Sequence, residues 1–174
     1  MDKNLDAIQE HIEQNESVDD QVLSFVLGEE EYGVDILRVQ EIKGWEKTTA
    51  IPNSPAYVMG VINLRGSVVP IVDLRVRFGL KEVTYNDSTV VIIVRSEDHT
   101  GSQKIIGLVV DGVSDVYALN KSELQVAPEM SGTINTDYVN GLATVSDKML
   151  IVLHVDQLIN DGILASIKKA LNIE

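Results

Sequence analysis

A chain of 174 residues, 44% of them hydrophobic, is long enough for one ordinary domain or for two very small ones sharing a core. It has no apolar run near the roughly 18–20 residues that cross a bilayer, no cysteine, and an opening Met1-Asp2-Lys3-Asn4 without the basic-then-apolar pattern of a secretory signal; together these place it in the cytoplasm. The net charge of −13 is uneven: ten acids against one base over residues 1–31, four against seven over 32–81, thirteen against six over 82–174, a distribution that argues against a general nucleic-acid role.

Residues 1–20 alternate acids and amides with Leu5, Ile8 and Ile12, as an exposed or partly ordered amphipathic arm outside the core would. From Gln21 the chain turns to short β-favouring runs. Val22–Leu27, the Gly28-Glu29 turn and Tyr32-Gly33-Val34 read as a hairpin, and Asp35–Ile42 as a turn or so of helix with Ile36, Val39 and Ile42 on one side. Ile51-Pro52-Asn53-Ser54-Pro55 is a loop, because proline lacks an amide donor and restricts the residue before it. Val61–Leu64 and Ser67–Val72 form a second hairpin with Arg65 at its tip, and Pro70 marks an edge or a bulge. Further strands are predicted at Thr89–Val94, Ile105–Val110 and Met149–Val155, and a short helix at Ile163–Leu171, with Lys168 and Lys169 near its C-terminal end. The class is mainly β.

An internal repeat turns these strands into an architecture. Gly33-Val34-x-Ile36-x-x-Val39-x-Glu41-Ile42 matches Gly107-Leu108-x-Val110-x-x-Val113-x-Asp115-Val116; Pro52 is echoed by Pro128, Tyr57-Val58-Met59-Gly60 by Tyr138-Val139-Asn140-Gly141, and Asp73-Leu74 by Asp156-Gln157-Leu158. Each unit is too small to bury much apolar surface alone, so two packed barrels that complete one core are expected. The expected division is an arm over 1–20, a first β-barrel half over 21–84, a second over 85–158 with strand exchange allowed between them, and a terminal helix over 159–174. Leu64-Arg65-Gly66 corresponds to Val145-Ser146-Asp147, so the repeat does not itself require Arg65, which points to a specific job for it.

No catalytic constellation is visible. His11, His99 and His154 have no ligand spacing, His154 reads as a satisfied strand residue, and Gly107 and Gly112 lack the spacing of a phosphate loop. Glu97 with Asp98, and Asp111 with Asp115, sit beside turns and read as solvated carboxylates. No metal or cofactor is expected.

Several ordered segments carry a family resemblance: Leu27–Ile42, the Gly60-Val61-Ile62-Asn63-Leu64-Arg65-Gly66 run, Val68–Arg75 and Val109–Val116. From about Gln21 to Leu158 the chain closely resembles the bacterial chemotaxis coupling protein CheW family. The resemblance implies two small SH3-like β-barrels packed around a shared core and no catalysis. It also implies a cytoplasmic adaptor, recruited to membrane-associated receptor clusters, that couples the cytoplasmic tips of methyl-accepting chemoreceptors to the regulatory domain of a CheA-type histidine kinase. Neither nucleic acid nor direct membrane insertion is implied. Receptor contact is implied for Val39, Glu41 and Ile42, for Arg65, and for Val90 and Val91; the strands that meet the kinase are left open. Glu41 and Arg65 are expected to form an ion pair that orients the receptor's helical hairpin. The competing reading is a regulatory barrel domain of a larger kinase without adaptor function of its own, against which Met1 and the separate terminal helix weigh.

Overall fold

The computed structural model describes Leu5, Ile8 and residues 21–80, 82–126 and 136–170. The strands are β1 (Gln21–Leu27), β2 (Glu30–Asp35), β3 (Val39–Gly44), β4 (Val58–Leu64), β5 (Ser67–Asp73), β6 (Val90–Glu97), β7 (Gln103–Val110), β8 (Gly112–Ala118), β9 (Val139–Val145) and β10 (Lys148–Leu153). A single turn of helix, α1 (Leu74–Arg77), follows β5, and a longer helix, α2, runs over 155–170.

The strands form two five-stranded sheets, SH3-like barrels in a mainly β protein. One, in the order β3-β6-β7-β5-β4, is contiguous in sequence; the other, β8-β1-β2-β10-β9, is interrupted by it. Each contains one parallel pair, β5 with β7 and β10 with β2, among antiparallel neighbours. Thus β1 and β2 correspond to β6 and β7, and β8–β10 to β3–β5. Each repeat gives its first two strands to one barrel and its last three to the other, so the exchange between halves is complete.

Register makes the repeat explicit. Gly33 lies opposite Ser24 and Val152, and Gly107 opposite Ile93 and Ile71. A Cβ would come within 2.3 Å of Val22 at the first position and 2.5 Å of Ile71 at the second, so only glycine fits either. The β4–β5 and β9–β10 turns share a backbone conformation, with φ of 49° and 90° at Arg65 and Gly66 and of 48° and 63° at Ser146 and Asp147. One landmark moves: the partner of Asp73 is His154, not Asp156, because each accepts a backbone N–H at the start of the helix that follows its strand. Pro128 lies outside the described residues.

Side-chain alternation divides the interior in three. Val90, Ile92 and Val94 of β6 join Phe25, Leu27 and Val34 in the core shared by the barrels, while Val91 and Ile93 face the inside of the contiguous barrel with Ile62 and Ile71. Val22, Ala143, Leu150 and Val152 fill the interrupted barrel. Burial on both faces is why Val90–Val94 is an unbroken apolar run.

Four expectations are corrected. Asp35–Ile42 is a 3-10 turn (Ile36–Arg38) leading into a strand; a bulge, in which Val39 pairs with Val94 but Glu41 with Ile93, puts Val39 and Ile42 on one face and mimics a helical period. The last strand stops at Leu153 and α2 starts at Val155, with Leu158, Ile159 and Ile163 buried along it, so the apolar run to Val155 spans two elements. His154 is therefore a helix cap: its Nδ1 accepts the Gln157 N–H at 3.3 Å. Finally, Ile8 is 5% exposed in the shared core and Leu5 packs against it, so these two residues of the arm are not outside the core. Pro70 sits where expected, since β5 pairs with β7 only over Ile71–Asp73 and Pro70 precedes that stretch.

Candidate functional site

The candidate site begins with the β4–β5 turn. A two-residue loop with positive φ at both positions is a type I′ turn, whose twist matches that of the flanking strands. Gly66 meets this demand without a Cβ, and its N–H donates to Asn63 Oδ1 at 2.9 Å. Arg65 adopts the left-handed conformation that arginine rarely takes, and its guanidinium donates to the Glu41 carboxylate. The hydrogen bond and then the charge of Glu41 raise the Arg65 pKa above its ordinary value.

Glu41 reaches this turn from β3, which lies at the opposite end of the same sheet from β4. The ion pair therefore links the two outermost strands of the barrel, and a bridge between Thr49, beyond the end of β3, and Val61 of β4 brings the same two parts of the chain together. The β3 bulge next to Glu41 sets the direction of its side chain. Arg65 is 66% exposed and Glu41 19%, so the pair offers a fixed cation at the surface and a carboxylate tucked behind it. Ile42 is half-buried against the shared core. Val68, 69% exposed and opposite Asn63 beside the turn, adds an apolar surface residue that sequence reasoning passed over as one more strand valine.

The structure thus brings Glu41 and Arg65 together and separates the other candidates by burial. Val39, Val90 and Val91 are 2%, 1% and 2% exposed. Val39 and Val90 belong to the shared core and Val91 to the barrel interior. They set the backbone of β3 and β6 beneath the surface.

A second constellation was not foreseen. Arg75 is 1% exposed and Asp73 is fully buried, joined through Nε to Oδ1 at 3.0 Å and Nη2 to Oδ2 at 2.8 Å. Arg75 Nη1 also donates to Asp111 Oδ1 at 2.9 Å and to the Thr84 carbonyl at 2.6 Å, and Tyr85 donates to Asp73 Oδ2 at 2.7 Å. Burial opposes the charge of Arg75, but the hydrogen bonds to Asp73 and Asp111 hold its pKa above the ordinary value. Burial and the bond to Asp73 push Tyr85 up to about 12. The Tyr85 ring stacks on Trp45 at 4.5 Å, and Asp111 Oδ2 accepts the Gly28 N–H at 2.7 Å, so the cluster ties one barrel to the other. Asp111 is accordingly a structural acceptor rather than a solvated carboxylate. Asp98 is likewise occupied, accepting from Thr100 and Ser102 across the β6–β7 turn, and its bond from Thr100 holds its pKa low. The sequence signal was the pair Asp73-Leu74-Arg75 directly after an apolar strand.

Among the described residues, no group of three or more histidines and carboxylates has the geometry to hold a metal ion, and no helix is long and apolar enough to cross a membrane.

Comparison with known proteins gives the family and the fold. Residues 21–162 match the model of the CheW-like domain family. The chain is 45% identical over 145 residues to a chemotaxis protein CheW of Klebsiella aerogenes, covering 83% of this chain and 84% of that one. It is 34% identical over 140 residues to the CheW of Helicobacter pylori, covering 80% and 81%. Its fold is similar to the crystal structure of the scaffolding protein CheW from Thermoanaerobacter tengcongensis, with a TM-score of 0.72 at 33% identity over 86% of this chain and 94% of the other.

Proposed function

The chain belongs to the CheW-like family, and on that premise we propose that it joins the cytoplasmic tips of methyl-accepting chemoreceptors to the regulatory domain of a CheA-type histidine kinase. It is a chemotaxis adaptor; the span of its match to proteins named CheW favours this over a regulatory piece of a kinase. Its work is binding, without catalysis or cofactor, in the cytoplasm at membrane-associated receptor clusters.

The observation that carries the receptor contact is the Glu41–Arg65 ion pair. Arg65 holds an unfavourable backbone conformation at a place where the repeat has Ser146, and it presents a cation fixed by Glu41 at a turn flanked by exposed Val68. A helical hairpin laid against this surface meets an apolar side chain beside one oriented charge, elements of helix-in-groove recognition. The kinase contact pairs a barrel of this protein with a like barrel of the kinase regulatory domain.

Co-sedimentation tests the assignment. With receptor-bearing membranes and a CheA-type kinase, adding this protein is expected to carry the kinase into the pellet, and Arg65→Lys is expected to weaken that recruitment, because lysine has no planar fork for a carboxylate. If the pellet holds the same amount of kinase with and without this protein, the assignment is wrong.

A further inference from the structure

The two barrels are built alike, yet they close differently at one end. In the contiguous barrel the residue just beyond β3 is Trp45, which stacks on Tyr85 and packs against the barrel interior. With Ile71 and Val91 it fills the barrel mouth so fully that no room remains for a water molecule.

The interrupted barrel has the same mouth. Leu119 stands 74 residues after Trp45, the offset that relates Gly33 to Gly107. Val22 and Val152 stand where Val91 and Ile71 stand in the other barrel, since each occupies the same register position relative to its glycine. Leucine is much smaller than tryptophan, and among the described residues no ring stacks over it as Tyr85 stacks on Trp45. A cavity of about 230 Å³ results, lined by Val22, Leu119 and Val152, with half-buried Leu124 and the polar Gln21, Asp35, Asn120 and Asn140 around them. It continues into a groove of about 100 Å³ that shares Asp35 and Asn140 with it. The other charges in that groove, Arg38 and Asp156, are paired with each other at 2.8 Å, while His154 uses Nδ1 as an acceptor. Among the described residues, Asp35 is therefore the carboxylate at the junction with no ion pair; one oxygen accepts the Leu37 N–H at 3.0 Å.

We propose that this open mouth is a binding site for an aromatic side chain carried beside a cationic residue by a partner polypeptide. The protein itself shows the fitting occupant: in the twin barrel the same mouth takes an indole ring. Val22, Leu119, Leu124 and Val152 offer the ring an apolar contact within a mixed lining, and Asp35 favours a neighbouring lysine or arginine over an acidic residue. The site is separate from the Glu41–Arg65 surface, and its test needs neither receptor nor kinase.

Backbone amide NMR of the full chain, titrated with N-acetyl-tryptophanamide and with the dipeptide amide Lys-Trp-NH₂, tests it. Shifts are expected at Val22, Leu119, Asn140 and Val152, with Lys-Trp-NH₂ binding about two- to fivefold tighter than the neutral probe. Asp35→Asn, which keeps the cap on Leu37, is expected to erase that preference. Leu119→Trp is expected to plug the mouth and abolish both titrations; Leu124→Trp, at the half-buried rim, does the same with less demand on the core. Absence of shifts at these amides with probe at about 10 mM, weaker than small fragments usually bind, would overturn the proposal. So would shifts that persist in both tryptophan variants, or shifts at the same amides on dilution without probe, which would assign the mouth to a second copy of the chain.

Discussion

Arg75→Met removes the guanidinium but keeps much of the apolar stem. Asp73, fully buried, then loses both arms of its bidentate partner and keeps only the Tyr85 hydroxyl and the backbone N–H of residue 75. Asp111 loses the same cation, at less cost because it is one-third exposed. Breaking a buried ion pair by deleting one member typically costs about 3–5 kcal/mol, chiefly the penalty of a buried charge left uncompensated. For a chain of this length that corresponds to a fall in melting temperature of about 6–20 °C. Urea unfolding followed by far-UV circular dichroism is the assay, with the loss appearing as a lower midpoint at unchanged slope. Asp73→Asn in the same background should recover part of the loss, since the remaining group carries no charge. A cost below about 1 kcal/mol for Arg75→Met, or no recovery in the double variant, would refute the view that a desolvated carboxylate depends on Arg75.

Arg65→Asn creates Asn-Gly, the favoured pair for a type I′ turn; the variant is expected to melt at or above the parent temperature while receptor recruitment falls, and full recruitment would remove Arg65 from the receptor contact. A double-mutant cycle on Glu41 and Arg65, read by receptor binding, should show coupling between them, and additive losses would mean that the ion pair has no part in recognition. Gly107→Ala and Gly33→Ala should each destabilise by about 1–3 kcal/mol through overpacking, against no measurable change for Gly44→Ala, where nothing lies within 4 Å of the added Cβ. Burial, then the charge of Glu30, push Tyr32 up to about 12. The folded state therefore keeps its proton above pH 10 while the unfolded state loses it, and stability should fall by about 2–3 kcal/mol between pH 10 and 12. Tyr32→Phe should flatten that part of a stability-against-pH profile, and an unchanged slope would assign it to other groups.

The hairpins, the repeat and the tip position of Arg65 were legible because each rests on local chemistry: turn residues with the required φ, alternating apolar residues, and glycines recurring at a fixed offset. The Glu41–Arg65 pair was anticipated through the family resemblance, and the difference at the turn singled out Arg65 independently. The burial of three candidate valines was not legible, for a physical reason. Val39, Val90 and Val91 are apolar residues in short strands, and a strand sequence does not say whether its second face meets solvent, another barrel or its own barrel's interior.

By itself the sequence determined the hairpins with their turns and the duplication, since these depend on residue types recurring along the chain. Tertiary structure alone decided the exchange of three strands between repeats, the charge cluster around Arg75 and the contrast between a plugged and an open barrel mouth. Each of these depends on residues far apart in sequence, Gly28 with Asp111 or Val22 with Leu119 and Val152, brought together by strand pairing whose register follows from which faces can be buried at once.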